Sequence, residues 1–161
     1  MAIVEINELK LSVAGHHRLL GIDVGSKTLG LALSDLSLTV ATPLKTIKRT
    51  KFASDAEQLK LLVYQHDVGG LLLGLPVSMD GTEGPKCQSV RQFAANLLNV
   101  LDLPLAFWDE RLSTAAVERV LIAEADMSRK RRRDVIDKAA AAYILQGALD
   151  AIDMRRAGPA P

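Results

Sequence analysis

The sequence predicts an α/β fold in which a mixed five-stranded sheet carries helices on both faces. Three observations predict it. Three short aliphatic-rich segments follow one another between residues 18 and 47, an apolar run occupies 69–75, and the stretches around that run switch to helical spacing.

Residues 18–24, 28–35 and 39–47 are separated by Gly25-Ser26 and Asp35-Leu36-Ser37, the punctuation of an antiparallel three-strand meander. From Ser54 onward, Ala56, Leu59, Leu62, Val63 and His66 fall at helical spacing. Gly69-Gly70-Leu71-Leu72-Leu73-Gly74-Leu75, closed by Pro76, reads as a central strand covered on both faces. After a loop over 76–86, the residues Val90, Phe93, Ala94, Leu97, Leu98 and Leu101 make one face of an amphipathic helix. Residues 103–108 return as a strand that ends in Asp109-Glu110-Arg111, so the last two strands run parallel within the sheet. Ser113 or Thr114 can cap a helix over 114–125, and a final helix over 134–152 carries Val135, Ile136, Ala139, Ala140, Tyr143, Ile144 and Ala148.

The 161 residues make one domain with a substantial core. Lys plus Arg number 20 against 19 Asp plus Glu, a net of +1, so a polyanionic partner must be met by local basic patches. The single cysteine, Cys87, excludes an internal disulfide and a cysteine-rich zinc site, which fits a reducing compartment. No run of about 18 apolar residues is present, and Glu5, Glu8 and Lys10 interrupt the first 17 residues, unlike a signal peptide. The expectation is a soluble cytoplasmic protein without membrane contact. Residues 1–17 read as a loosely held N-terminal extension, 18–153 as the folded domain and 154–161 as a flexible tail.

Asp23 stands inside the apolar run Leu19-Leu20-Gly21-Ile22-Asp23-Val24-Gly25. A carboxylate in a core strand costs several kcal/mol, roughly, unless a cation or hydrogen-bond donors compensate it. Asp109 and Glu110 end a later strand, where sites of open α/β sheets gather. Asp137 lies about a quarter turn from the centre of the last helix's apolar stripe, a rim position from which a carboxylate can face the sheet. Three carboxylates from two strands and a helix can bind one or two Mg²⁺ ions that activate water in phosphodiester hydrolysis.

Four segments then occur in order: Gly21-Ile22-Asp23-Val24-Gly25-Ser26-Lys27; Gly74-Leu75-Pro76 with Met79-Asp80-Gly81-Thr82-Glu83-Gly84-Pro85; Asp109-Glu110-Arg111-Leu112-Ser113-Thr114; and Ile136-Asp137-Lys138-Ala139-Ala140 with Ile144-Leu145. Together they resemble the YqgF family, also called RuvX, over residues 19–149. The resemblance implies a ribonuclease H-like fold and a nuclease that matures the 5′ end of pre-16S ribosomal RNA. An older reading of the family is a Holliday junction resolvase, by analogy with the RuvC enzymes. By the same resemblance Asp23 matches the first-strand catalytic acid, Glu110 the acid closing the later strand and Asp137 the acid of the final helix. Lys27 matches a basic position after the first strand, whereas Thr28 departs from a second basic residue there. RuvC-type resolvases use two acids near the last helix, which holds Asp134 in reserve beside Asp137.

Each choice has a structural competitor. Asp23 can instead be a buried acid paired with Lys27 or Arg111. Asp109 can be the inward acid in place of Glu110, because strand neighbours point to opposite faces; the family pattern favours Glu110. Arg111 either binds phosphate bidentately or neutralises the acids. The loop 76–85 is either a surface turn or a flank of the cleft. The basic run Arg129-Lys130-Arg131-Arg132-Arg133 is either a solvated face or a phosphate-contact surface, extended by Lys86 and Arg91. Trp108 either stacks on a base or packs against a helix. The Gly25-Ser26-Lys27-Thr28 stretch is no P-loop, because Ser26 stands where that motif needs glycine.

The function these residues point to is a metal-dependent endonuclease. Asp23, Glu110 and Asp137 hold Mg²⁺ or Mn²⁺, while Lys27, Arg111 and Arg129, Lys130, Arg131 and Arg132 orient the nucleic acid. Pre-ribosomal RNA is favoured over branched DNA as substrate, with ribosomal particles as partners and a monomer or homodimer as the acting form. A nucleotide phosphotransferase and a non-catalytic RNA-binding ribosome-assembly factor are the competing classes.

Overall fold

The computed structural model describes residues 3–13, 16–112 and 129–156, with backbone alone at 112, 129–136 and 152–156. The elements in order are helix α1 (Ile6–Val13), strands β1 (Arg18–Val24), β2 (Thr28–Ser34) and β3 (Ala41–Lys48), helix α2 (Phe52–Gln65), strand β4 (Val68–Leu75), helix α3 (Pro85–Leu98), strand β5 (Leu105–Asp109), a 3₁₀ turn (Glu110–Leu112) and helix α4 (Arg129–Arg156). The helix expected over 114–125, the basic residue Arg133's side chain, Asp134's side chain and the end of the expected tail at 157–161 lie outside the described residues. Among the described residues no helix is long and apolar enough to cross a membrane.

The sheet runs β3-β2-β1-β4-β5. β1, β2 and β3 pair antiparallel, whereas β4 lies parallel to β1 and β5 parallel to β4. This is the meander plus two parallel strands that the spacing predicts.

Strand alternation sorts the side chains onto two covered faces. On one, Leu20, Ile22, Leu29, Leu31, Leu71 and Leu73 join Leu59 of α2 and Phe93 and Leu97 of α3. On the other, Leu19, Ala32, Leu72 and Ala106 meet Ile144, Leu145 and Leu149 of α4 and Leu9 and Val13 of α1. Fully burying one such aliphatic side chain contributes about 1.5–3 kcal/mol, so both layers stabilise the sheet.

The second face is built for close approach. A Cβ on Gly21 would sit 3.0 Å from the Leu145 Cβ, and one on Gly30 would sit 2.0 Å from the Asp137 carbonyl oxygen. Helix α4 therefore rests directly on the backbone of β1 and β2, with its register set by where those glycines fall. Gln146 fastens the helix further along: its Nε2 donates to the Thr39 carbonyl at 2.9 Å, and its Oε1 accepts from the Ala41 N–H at 2.8 Å.

The N-terminal segment departs from the expectation of a loosely held extension. Leu9 and Val13 of α1 are buried, and the Val4 N–H donates to the Leu105 carbonyl at 2.8 Å. The reason lies in β4, where a Cβ on Gly70 would meet Leu9 Cδ1 at 2.7 Å. Gly69 and Gly70 leave a hollow over the sheet, and the eight-residue helix α1, about two turns long, fills it with Leu9 and Val13.

Candidate active site

β1 delivers Asp23 two residues before the turn at Gly25, directly opposite Gly30 of β2. Cross-strand partners project to the same face, so Asp23 lies under α4, on the side where Gly30 admits the helix backbone at Asp137. The same register places Thr28, two positions from Gly30, on that face. Its Oγ1 donates to Asp137 Oδ2 at 2.7 Å.

β5 supplies the second acid, and pairing separates its two neighbours. Gly74 pairs with Trp108 and Leu75 with Asp109, which puts Trp108 on the α4 face and Asp109 on the other. Glu110, one residue on, returns to the α4 face: a Cβ on Gly74 would meet Glu110 Oε1 at 2.6 Å and Ile144 Cδ1 at 2.7 Å. Gly74 thus makes the space that Glu110 occupies. Trp108 packs on α4, with its Nε1 3.2 Å from where a Cβ on Gly147 would lie, and it is the helix contact, not an exposed stacking platform.

Asp23 and Glu110 hydrogen-bond each other. Burial raises the Asp23 carboxyl above the ordinary aspartate range and the charge of Asp137 adds to the rise, while the bond to Glu110 opposes it. Burial also raises Glu110, as do the charge of Asp23, the bond to it and the charge of Asp109; Lys86 opposes the shift, and the carboxyl is pushed up to about 7. When the pair carries one proton, Glu110 is the donor and Asp23 the acceptor, and the two titrate as a pair. The compensation for the buried acid is thus a second acid. Neither Lys27 nor Arg111 pairs with Asp23, contrary to the salt-bridge alternative.

Asp137 acts on Asp23 through charge without a hydrogen bond. Among the described residues, no three His, Cys, Asp or Glu side chains are gathered tightly enough to hold an ion as they stand. The structure brings two of the three expected acids into contact and anchors the third beside them through Thr28.

Both acids in contact line an open cleft of about 260 Å³, shared with Ser26, Arg49, Lys86 and Ser89. Lys27 is exposed in the β1–β2 turn and does not line it. Arg111 is committed elsewhere. Its Nε and Nη2 fork onto Asp109 at 2.9 and 2.5 Å, and its Nη1 reaches the Ser78 and Met79 carbonyls at 3.4 and 3.5 Å. The bond from Arg111 holds the Asp109 carboxyl below its ordinary range. Arg111 neutralises Asp109, not the acid pair, and ties the loop 76–84 to the end of β5. Arg91 is likewise forked onto Glu83, at 2.7 and 2.8 Å. The side chains of Arg129, Lys130, Arg131 and Arg132 lie outside those described.

Comparison with known proteins agrees with this architecture. A family model described as "RuvX: Holliday junction resolvase" matches residues 17–151. A protein of Paramagnetospirillum magneticum named "Putative pre-16S rRNA nuclease" is 64% identical over 150 residues, covering 93% of this chain and 96% of its own length. One of the same name from Rhodospirillum rubrum is 61% identical over 137 residues, 85% of each chain. Among solved structures, RuvC of T. thermophilus in complex with a Holliday junction substrate has a TM-score of 0.55 at 15% identity, covering 89% of this chain and 97% of that one. The yeast mitochondrial Holliday junction resolvase has a TM-score of 0.52 at 14% identity, covering 94% and 87%. These two likenesses show the fold, which is ribonuclease H-like.

Proposed function

The chain belongs to the RuvX family, and from that membership we propose that it is a metal-dependent endonuclease that cleaves pre-16S ribosomal RNA during maturation of its 5′ end. The observation that carries the reading is the contact between Asp23 and Glu110 at the ends of β1 and β5, the strands on either side of β4, with Asp137 beside them. Two adjacent carboxyls raised by burial and mutual repulsion are destabilised as anions, and a divalent cation that relieves the repulsion competes with the proton for the pair.

The donor set fits such a cation. All three side chains offer hard oxygen ligands, which suit Mg²⁺ and Mn²⁺, and the cleft beside them is open to phosphate and water. Asp23 and Glu110 would hold the ion, with Asp137 completing the set. The chemistry such an ion supplies is activation of water and neutralisation of charge on the phosphoryl oxygens. Thr28 fixes the carboxylate of Asp137, and Arg111 fixes the loop that flanks the cleft. Lys27 and the run Arg129, Lys130, Arg131 and Arg132 would bind the phosphate backbone along the approach to the acids.

The family description also names junction resolution. A single assay separates the readings: precursor ribosomal RNA and a four-way DNA junction are offered side by side with Mn²⁺ or Mg²⁺, with Asp23→Asn as control. Cleavage of the RNA alone is expected. Cleavage of the junction alone would overturn the RNA assignment, and cleavage of neither would overturn the nuclease. Charge reversal at Arg131 and Arg132 is expected to weaken RNA binding and flatten its salt dependence; unchanged binding would return that run to a solvated face.

A further inference from the structure

The cleft beside the acids has a basic side on which Lys86, read from the sequence only as an extension of the basic run, stands with Arg49, which no motif singles out. Arg49 follows β3 and is held on three sides. Its N–H donates to the Lys27 carbonyl at 2.9 Å, its Nη1 donates to the Gly25 carbonyl at 2.6 Å, and its guanidinium carbon lies 5.5 Å from the centre of the Phe93 ring. Lys86 stands in the first turn of α3, exposed, and near enough to Glu110 for its charge to act there. Ser89 lies one helical turn further along, and all three line the cleft with Asp23 and Glu110.

The contrast with the neighbouring cations is informative. Arg91 and Arg111 are each forked onto a carboxylate, Glu83 and Asp109. Arg49 and Lys86 have no ion-pair partner among the described residues, although they line the cleft that holds the acid pair. A guanidinium pinned through one nitrogen and its ring contact loses little freedom when its remaining N–H groups take an anion. The same wall carries the N-terminal end of the 14-residue helix α3, whose N-cap Gly84 provides no side-chain bond, so the helix dipole adds positive potential on the same side.

We propose that Arg49 and Lys86 form a seat for a backbone phosphate of the nucleic-acid substrate, in the same cleft as the acids, so that the strand passes between the end of β3 and the start of α3. The inference rests on the nuclease reading and adds the path of the strand to it. The phosphate seated there is a neighbour of the one cleaved, because the two cations line the same cleft as the acids without being ion-paired to them. Both residues act on binding and alignment, not on the bond that breaks.

The test separates binding from chemistry. Full-chain Asp23→Asn protein is titrated with a labelled single-stranded RNA in chelator over a series of KCl concentrations. Arg49→Gln and Lys86→Gln, each added to that background, are expected to weaken binding several-fold and to lower the slope of log affinity against log salt by about 0.7 each. Lys60→Gln, on α2 away from the cleft, is expected to change neither. In the cleavage-competent protein both variants are expected to raise KM with kcat retained, and Arg49→Lys is expected to recover the salt slope. Unchanged slope and KM in Lys86→Gln, whose exposed helical position spares the fold, would overturn the seat even if Arg49→Gln unfolds. Failure of the parent protein to cleave RNA, with the slopes falling as described, would overturn the nuclease and leave the seat standing.

Discussion

Thr28 Oγ1 donates a 2.7 Å hydrogen bond to Asp137 Oδ2, linking positions 109 residues apart at the point where helix and sheet are closest. The acceptor is one of the three expected site acids, so the hydroxyl fixes one oxygen of a group that, in the proposed site, would offer the other to a cation. Thr28→Val keeps the shape and removes the donor. Cleavage is expected to fall about 10- to 100-fold, with more metal needed for half-maximal rate, and Thr28→Ser is expected to restore it. An unchanged metal requirement would reduce Thr28 to a packing residue.

The acid pair makes stability depend on pH in a definite direction. Glu110 is raised to about 7 in the folded chain from an ordinary value of 4.5, so between those values the native state binds more protons than the unfolded one. Stability of the metal-free protein is therefore present below the unfolded value and falls as pH rises through 7. Discounted for partial solvent screening, the loss is on the order of 1 kcal/mol, or about 3 °C in Tm. Melting curves in chelator from pH 5 to 8 check the slope, and Glu110→Gln is expected to flatten it. Added Mn²⁺ is expected to raise Tm more at pH 8 than at pH 5.5, because the ion needs the deprotonated pair.

Asp23→Asn removes the charge that lies closest to Glu110. Cleavage is expected to vanish while RNA binding persists, and the chelated protein is expected to melt higher than the parent at pH 8, since a like-charge repulsion is gone. Surviving cleavage would place the chemistry elsewhere.

Gly30→Ala tests the seat of α4. The added methyl would lie 2.0 Å from the Asp137 carbonyl oxygen, so the helix must lift. A cost of about 3 kcal/mol is expected in urea unfolding, together with loss of cleavage. Stability lost with full activity retained would separate the helix seat from the site.

Asp109→Ala frees Arg111 and with it the loop 76–84. Limited proteolysis is expected to cut that loop faster, with KM raised. Because Arg111 depresses Asp109, the latch itself is held above the ordinary carboxylate range and is released as pH falls through and below it. Equal proteolysis rates in parent and variant would show that the loop is fixed by other contacts.

Much of this fold is legible in the sequence because its period signals are clean. The meander, the central apolar strand and the helices that cover it follow from alternation and from the 3.6-residue spacing, with ends displaced by a few residues. The N-terminal helix is not legible in that way: Ile6, Leu9 and Val13 are too few to stand out, and their partner is the hollow above Gly69 and Gly70, which no local pattern announces. The choice between Asp109 and Glu110 likewise depends on strand register, settled here by the pairing of Gly74 with Trp108. Arg49 is hidden among Lys45, Lys48 and Lys51, a basic stretch spanning the end of β3 and the start of α2, and only tertiary placement against Gly25 and Phe93 distinguishes it. Thr28 was visible only as a departure from a basic residue, and its bond to Asp137 gives that departure a use.

Two adjacent acids at the end of β5 look to opposite sides of the sheet, one to the cleft and one to Arg111. That parity makes the gene unusually sensitive to length at this point. Inserting or deleting a single codon within β5 would exchange the two carboxylates, handing the arginine fork to the wrong neighbour, and should behave as a null allele although composition is almost unaltered. A two-codon change restores the alternation and should be the milder lesion, the reverse of what simple size would suggest.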